Sequence, residues 1–146
     1  MNQYNVLIAE LKVRIRQAWG ADFLISAGRP KTPFPNNSSF AVISMPEPVT
    51  SSGSGRAAVR EWKFQVIGVF PYVDSEDSEV VSMNKIDLLH QSLEPYDEIS
   101  VPTADAPFAG ICDEHFVTSF APMEEEMDDN FVGCVIDFQC RTKVYV

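Results

Sequence analysis

Apolar residues recur at helical spacing near the start of the chain, and polar side chains occupy the remaining arc. The apolar set is Tyr4, Leu7, Ile8, Leu11, Ile15, Ala18 and Trp19. This pattern predicts an amphipathic helix over roughly residues 3–19. Gly20 follows the last periodic position, where a residue with positive φ commonly closes a helix.

A second helix is predicted over roughly residues 80–93, before Pro95. Its main apolar arc consists of Met83, Ile86, Leu89 and Leu93. The acidic stretch Asp74–Glu79 precedes it, and negative charge there favours the positive end of the helix dipole. Three further apolar residues lie off the main arc: Val80, Val81 and Leu88. We therefore expect burial on more than one side, by the sheet and by a neighbouring subunit.

Alternation of apolar and polar residues predicts two long strands, at residues 59–70 and 131–146. In the first strand one face carries Trp62, Phe64, Val66 and Phe70. In the second strand one face carries Val132, Cys134, Ile136, Phe138, Cys140, Thr142, Val144 and Val146. Each strand is therefore expected to bury one side and to expose the other.

Two shorter strands are predicted at residues 40–45 and 111–120. The segment at about 46–60 begins with a run rich in proline, serine and glycine and is predicted to be a flexible loop between antiparallel strands. Residues 28–37 and 95–107 show no period and are predicted to be irregular. The sequence thus predicts a single α+β domain spanning residues 1–146, with a mixed, mainly antiparallel sheet of four to five strands packed by two helices, in the order α-β-β-α-β-β.

Composition agrees with one globular domain, since hydrophobic residues make up 45% and charged residues 22% of 146 residues. The apolar runs are far shorter than the ~20 residues that span a bilayer. We expect a soluble, unexported protein with no membrane partner. The three cysteines, Cys112, Cys134 and Cys140, are too few and too odd in number for a disulfide framework, which fits a reducing cytosol.

Charge is distributed unevenly along the chain. The net charge of -10 argues against a general nucleic-acid binder, because attraction to phosphate needs the opposite sign. Residues 1–70 carry eight basic and four acidic side chains, a net +4, whereas residues 71–146 carry three and seventeen, a net -14. This asymmetry hints at a surface with one positively and one negatively charged region, unless the two halves of the sequence interleave in one sheet.

No motif of useful specificity for an enzyme is present, and we expect neither catalysis, nor a cofactor, nor a metal. Gly53, Gly55 and Ala58 match a G-x-G-x-x-A spacing, but a strand rather than a helix follows, which favours a loop over a nucleotide site. Cys112 and His115 resemble a thiol–imidazole pair or metal ligands. On a regular strand they point to opposite faces, which excludes shared chemistry.

Two charged clusters have both a structural and a functional interpretation. The first is an acidic turn of Glu124, Glu125, Glu126, Asp128 and Asp129, which is either simply solvated or faces a basic partner. It lacks the spacing and the central glycine of a known calcium loop. The second is a basic set of Arg56, Arg60 and Lys63 on or beside the loop, which either solvates it or contacts DNA or another protein.

The whole chain resembles the tail terminator, or tail-completion, proteins of long-tailed bacteriophages in length, in element order and in its lack of a catalytic motif. The matching elements are the helix at 4–19, the strand pair 40–45 and 59–70 around a loose loop, the helix at 80–93 and the closing hairpin that ends at 131–146.

The resemblance implies a structural virion protein that assembles in the host cytoplasm as a ring, usually of six copies. Such a ring caps the tail tube, stops its elongation and joins it to the head or neck. The implied partners are further copies of the chain, the tail tube protein and a neck or head-completion protein, with passive contact to genomic DNA in the channel.

Three alternatives stay open at this stage. The first is an acidic, monomeric binding module that occupies a basic partner through the turn at 124–129. The second is another neck or head–tail connector protein of the same architecture. The third is a small enzyme that uses Cys112 or His115.

Overall fold

The computed structural model describes residues 2–30, 32–35, 37–53, 57–71, 77–94, 108–123 and 131–145. In chain order, its elements are α1 (Gln3–Trp19), β1 (Leu24–Ala27), β2 (Phe40–Ser44), β3 (Thr50–Ser52), β4 (Ala57–Pro71), α2 (Ser78–Leu93), a short 3₁₀ turn (Phe108–Gly110), β5 (Cys112–Met123) and β6 (Phe131–Tyr145). No helix of these segments is long and apolar enough to cross a membrane.

The strands form one sheet in the order β1-β2-β4-β6-β5, and β3 pairs with β4 beyond the end of β2. Only β1 and β2 run parallel; the other pairs of the described strands are antiparallel. The predicted α+β class and the mixed, mainly antiparallel sheet are confirmed. The predicted count of four to five strands and the predicted order α-β-β-α-β-β are wrong, because the described residues form six strands in the order α-β-β-β-β-α-β-β.

The two strands that the sequence does not reveal are short and lack alternation. β1 has four half-buried residues, too few to show a period, and it is recognisable only by its parallel pairing of Leu24 with Phe40. β3 is the exposed sequence Thr-Ser-Ser, held by the register that places Thr50 opposite Glu61. The segment at 46–60 is therefore not wholly a loop, since β3 and the start of β4 lie within it.

Both helices occur where the apolar spacing predicts them. The Asn2 side chain accepts a hydrogen bond from the Asn5 amide at 2.8 Å and so caps the start of α1. At the other end, the amide of Gly20, with φ 137°, donates to the Arg16 carbonyl at 2.9 Å. Helix α2 begins at Ser78, two residues before the predicted start, and ends at Leu93 as expected.

The helices lie side by side on one face of the sheet, which we call the covered face. Arg14 Nη1 donates to the Ser92 carbonyl at 2.7 Å, and Ser92 Oγ donates to the Arg14 carbonyl at 2.8 Å. The residues predicted to face the core are buried: Trp62, Phe64, Val66, Phe70, Val132, Cys134, Ile136, Phe138, Cys140 and Thr142. The predicted faces of β4 and β6 are thus confirmed, while the side chains of Val144 and Val146 lie outside the described residues.

Gly68 creates room in this layer for a large side chain. A Cβ at this position would lie 2.7 Å and 2.9 Å from two atoms of the Trp19 ring. The indole lies edge-on to Phe70, with ring centres 5.0 Å apart, and its Nε1 donates to the Lys85 carbonyl at 2.9 Å. The end of α1 therefore packs directly on the backbone of β4 and is tied to α2.

The off-arc residues of α2 behave differently from one another. Val81 packs against the core, whereas Val80 and Leu88 are 54% and 46% exposed. The expected burial on a second side is therefore wrong for Val80 and Leu88 within the single chain, because no described element reaches them. Whether a neighbouring subunit covers them stays a prediction.

Candidate functional site

The second face of the sheet, which we call the open face, carries a polar network at one end. Here Arg141 pairs with Glu61 at 3.7 Å and with Glu114 at 3.0 Å. Lys143 lies 3.7 Å from Asp113, and Lys63 lies 2.8 Å from Glu47. Except for Glu47, which lies between β2 and β3, these residues stand on adjacent strands on one side of the pleat, so their pairing follows from the register of β4, β5 and β6.

Hydrogen bonds extend this network toward the middle of the sheet. Gln65 Nε2 donates to Asp137 Oδ1 at 3.3 Å, Ser119 Oγ donates to Asp137 Oδ2 at 2.6 Å, and Gln139 donates to Glu61. A shallow depression of about 410 Å³ lies over this region. Its polar groups already bind one another, and the described residues contain no cluster of three possible metal ligands. The polar side chains of this depression are therefore engaged mainly with one another.

The other end of the open face is apolar. The register places Phe40 opposite Val69, and it places Ile67 between Val42 and Val135. All five side chains are half-buried, and the ring of Phe34 stacks on Phe40 with centres 4.7 Å apart. The open face is therefore divided into an uncharged end and a charged end.

The structure separates two members of the predicted basic set. Arg60 lies on the covered face, where its Nη1 donates to Gln3 Oε1 at 3.3 Å. Lys63 lies on the open face, and its hydrogen bond and charge attraction to Glu47 raise the pKa of its ammonium group. Arg56 lies outside the described residues, and the predicted contact of the basic set with DNA or another protein stays a prediction.

The acidic turn of Glu124, Glu125, Glu126, Asp128 and Asp129 also lies outside the described residues. It connects the end of β5 to the start of β6, which are paired through Met123 and Gly133. Its role as a partner-facing surface stays a prediction.

A β-bulge at the start of β5 overturns the prediction that Cys112 and His115 point to opposite faces of the sheet. The register pairs Cys112 with Thr142 and His115 with Cys140, since it shifts between Cys112 and Glu114. The extra residue, Asp113, reverses the alternation, so that Cys112 and His115 both lie on the covered face. A second shift lies between Val117 and Ser119, where Glu94 accepts a hydrogen bond from the Val117 amide.

Burial controls the titratable groups in this part of the core. It lowers the pKa of His115, and the nearby positive charge of Arg14 lowers it further, although Glu94 opposes the shift. A hydrogen bond to Cys112 and burial raise the pKa of the Cys140 thiol, and burial raises that of Cys134 to about 12. Cys112 is fully buried, which does not favour the enzyme hypothesis built on that thiol.

The strand order also decides where the charges lie. Residues up to Pro71 form α1 and strands β1–β4, and residues from Asp77 form α2, β5 and β6, with the boundary between β4 and β6. The strands of the two halves therefore do not interleave in the described sheet. Among the described residues, the charges of each half stay with the elements of that half.

Most minority charges of each half lie beside an opposite charge or an aromatic ring. In the first half, three of the four acidic residues are paired: Glu10, Glu47 and Glu61. In the second half, Arg141 and Lys143 are paired, and Lys85 Nζ lies 4.9 Å from the centre of the Phe70 ring. Each half is left with charges mainly of one sign. We call Lys12, Arg16 and Arg29 the basic flank, and Asp77, Glu79 and Asp87 the acidic flank.

Neither the two charged flanks nor the pairing of Cys112 with Cys140 could be identified from local patterns in the sequence. The charge sums of the two halves were a signal for the flanks, but their separation depends on strand order. For the pairing of Cys112 with Cys140 there was no signal, because one extra residue is not visible in the alternation of an edge strand of which half the residues are exposed.

Comparison with known proteins shows a shared fold. No protein-family model matches the chain, and no curated protein matches its sequence. A chain from the virion of a native gene transfer agent (GTA) particle superimposes with a TM-score of 0.61 at 11% identity, covering 97% of this chain and 95% of that one. A second solved structure, which bears no functional name, gives a TM-score of 0.54 at 16% identity, covering 100% and 99%.

Proposed function

We propose that the chain is a structural virion protein that forms a ring, capping a phage tail tube and joining it to the neck. The observation that carries the proposal is the match along nearly the whole length to a chain of a gene transfer agent virion particle. That match supports a role in a phage-like particle. The finer role, as a terminator that stops tail elongation, rests on the resemblance in element order and length.

The segregated charge supports assembly of several copies by one repeated contact. A ring is built by heterologous contacts, in which one surface of each subunit meets a different surface of the next. The basic flank on the first half and the acidic flank on the second half are complementary in sign. We therefore propose that the basic flank of one copy faces the acidic flank of its neighbour, with electrostatics setting the partner and the register.

The other charged clusters take separate roles in this proposal. The hairpin of β3 and β4, which carries Arg56 and Lys63, reaches a neighbouring subunit or the central channel. Arg60 contributes by holding the base of this hairpin to Gln3 of α1. The acidic turn at 124–129 faces a basic surface on the neck or tail partner.

The first experiment is sedimentation velocity over a wide range of concentration, with negatively stained images of the heaviest species. We expect a closed ring of about six subunits with a central hole. Because exposed charges are screened by salt, the ring should dissociate more readily at 0.5 M than at 0.05 M sodium chloride. A compact dimer without a hole would contradict the proposal, and a monomer under every condition would favour the acidic binding module.

Reversing the charges of the two flanks tests whether the basic flank of one copy contacts the acidic flank of the next. We expect Lys12→Glu with Arg29→Glu to abolish the ring, and Asp77→Lys with Asp87→Lys to do the same. All four substitutions in one chain should restore it, because complementarity returns with opposite polarity. The control exchanges an open-face pair that the proposal does not use, Lys143→Asp with Asp113→Lys, and leaves the net charge unchanged. Loss of the ring in that control alone would assign the contact to the open face instead of the flanks.

Neutralising the acidic turn separates assembly from partner binding. The variant carries Gln or Asn at Glu124, Glu125, Glu126, Asp128 and Asp129. We expect its ring to form as in the unaltered protein, while binding to a basic partner surface weakens. Loss of self-association in this variant would place the turn in the subunit contact.

A further inference from the structure

A pair of thiols in the covered face has no part in the proposed function. Cys112 begins β5 and Cys140 lies in β6; both are fully buried, and they share a side-chain hydrogen bond. The third thiol, Cys134, lies on the same face of β6, but its register partners are Gly68 and Pro122. Of the three cysteines, Cys112 and Cys140 are thus the two that are placed to react with each other.

The first β-bulge creates this pair. Cys112 lies opposite Thr142, and Thr142 and Cys140 are neighbours on one face of β6. Cys112 and Cys140 are therefore diagonal neighbours on adjacent strands, and the hydrogen bond between their side chains brings the two sulfurs into contact. The bulge also increases the local twist, which favours such a diagonal approach. A regular strand carrying the same sequence would not place Cys112 and His115 on one face.

We propose that Cys112 and Cys140 form an intramolecular disulfide when the protein meets a small disulfide oxidant such as glutathione disulfide. The Cys112 thiolate attacks one sulfur of the oxidant, breaks its S–S bond and releases one glutathione thiolate. The Cys140 thiolate then attacks the Cys112 sulfur of the mixed disulfide and releases the second glutathione. The two cysteine thiols lose two protons and two electrons, and the oxidant becomes two glutathione thiols.

The order of attack follows from the surroundings of the two sulfurs. The hydrogen bond and burial raise the pKa of Cys140, so that it keeps its proton more tightly. Cys112 stands at the first position of an edge strand, where opening of a strand end exposes it without disrupting the centre of the sheet. Bond formation brings the sulfurs from hydrogen-bond contact to about 2.05 Å, and the edge position lets β5 move toward β6.

The cross-link would fasten the edge strand to the sheet. It restricts the unfolded chain by closing the loop between β5 and β6, which raises the unfolding temperature. This device does not depend on ring formation, so it is tested on the full chain whatever its oligomeric state.

The test incubates the native, full-length protein with glutathione disulfide, then denatures it, alkylates the free thiols and measures the mass. We expect the free thiols to fall from three to one, a digest to contain one linked peptide joining Cys112 to Cys140, and Tm to rise by roughly 5 °C. Cys134→Ala is the matched control, a buried thiol of the same strand, and should form the same cross-link. Cys112→Ala should keep both remaining thiols free, whereas Cys140→Ala, which lacks the resolving thiol, should stop at the mixed disulfide between Cys112 and glutathione.

Several results would overturn the proposal. In the unaltered protein they are three free thiols after prolonged oxidation, a stable glutathione adduct on Cys112, a bond through Cys134 or between two chains, and cross-linking that occurs only in denaturant. Peptide mapping of the unaltered protein decides the matter even where an alanine variant does not fold.

Discussion

The two faces of β4 and β6 differ in the interactions that their side chains make. On the covered face, apolar residues pack against the helices, and the buried Thr142 accepts a hydrogen bond from Trp62 Nε1 at 3.0 Å and donates one to Gln3 Oε1 at 3.1 Å. On the open face, ion pairs such as Arg141–Glu114 stand in solvent. The first face holds the fold together, and the charged end of the second contributes less to it, since exposed ion pairs contribute little to stability.

The largest difference in the free energy of unfolding is expected between alanine substitutions of two valines on opposite faces of β4. Val66 is fully buried, and Val69, three residues along the strand, is half-buried on the open face. Val66→Ala should lower the free energy of unfolding by about 2–3 kcal/mol, because it leaves a cavity in the core. Val69→Ala should lower it by about 1 kcal/mol. Urea unfolding of both variants checks this, and equal losses would refute the contrast.

The packing of Trp19 on Gly68 is the next test of the covered face. Gly68→Ala places a methyl group within 3 Å of the indole and should cost about 2 kcal/mol in the free energy of unfolding. In a Trp19→Phe background, where the ring is smaller, the same substitution should cost clearly less. A double-mutant cycle measures the difference, and strict additivity would show that the clash is not with Trp19.

The buried hydroxyl of Thr142 on the covered face should contribute more to the free energy of unfolding than an exposed hydroxyl does. Thr142→Val keeps the shape but leaves Trp62 Nε1 without its acceptor, and should cost about 1–2 kcal/mol in the free energy of unfolding. The matched change, Thr118→Val, affects an exposed residue whose hydroxyl donates to the Asp137 carbonyl. We expect that change to cost less than about 0.5 kcal/mol. Chemical denaturation of the two variants compares them directly.

The ion pairs of the open face should contribute little to the free energy of unfolding. Arg141→Gln removes contacts with Glu61 and Glu114 and should lower the free energy of unfolding by under about 1 kcal/mol. The loss should shrink further at 1 M sodium chloride, where screening is strong. A loss that is large and independent of salt would show that this face also carries the fold.

The smallest expected effect is a dependence on pH that comes from the covered face. Burial lowers the pKa of His115 below its unfolded value of about 6.5. The unfolded chain therefore takes up the proton first, so the contribution of His115 is fully present above about pH 6.5 and is lost as the pH falls toward the folded pKa. His115→Phe should flatten the dependence of Tm on pH between 7.5 and 5.5. An unchanged slope would contradict this assignment.

How far the sequence predicts the fold depends on the length and burial of each element. Helices α1 and α2 and strands β4 and β6 are long and have one buried side, so their periods appear in the sequence. β1 and β3 are short and depend on their neighbours for pairing, and the bulge at Asp113 is an irregularity within an edge strand. For the candidate site, composition predicted the charge imbalance but not the surfaces that carry it.

The sequence by itself determined which residues of the long elements are buried, because side chains alternate on a strand and repeat every 3.6 residues on a helix. Only the tertiary structure decided which strands become neighbours. It placed β4 beside β6, which kept the basic and acidic halves apart, and it shifted the register of β5 so that Cys112 meets Cys140. Both outcomes depend on pairing between distant segments, and local preference carries no information about such pairing.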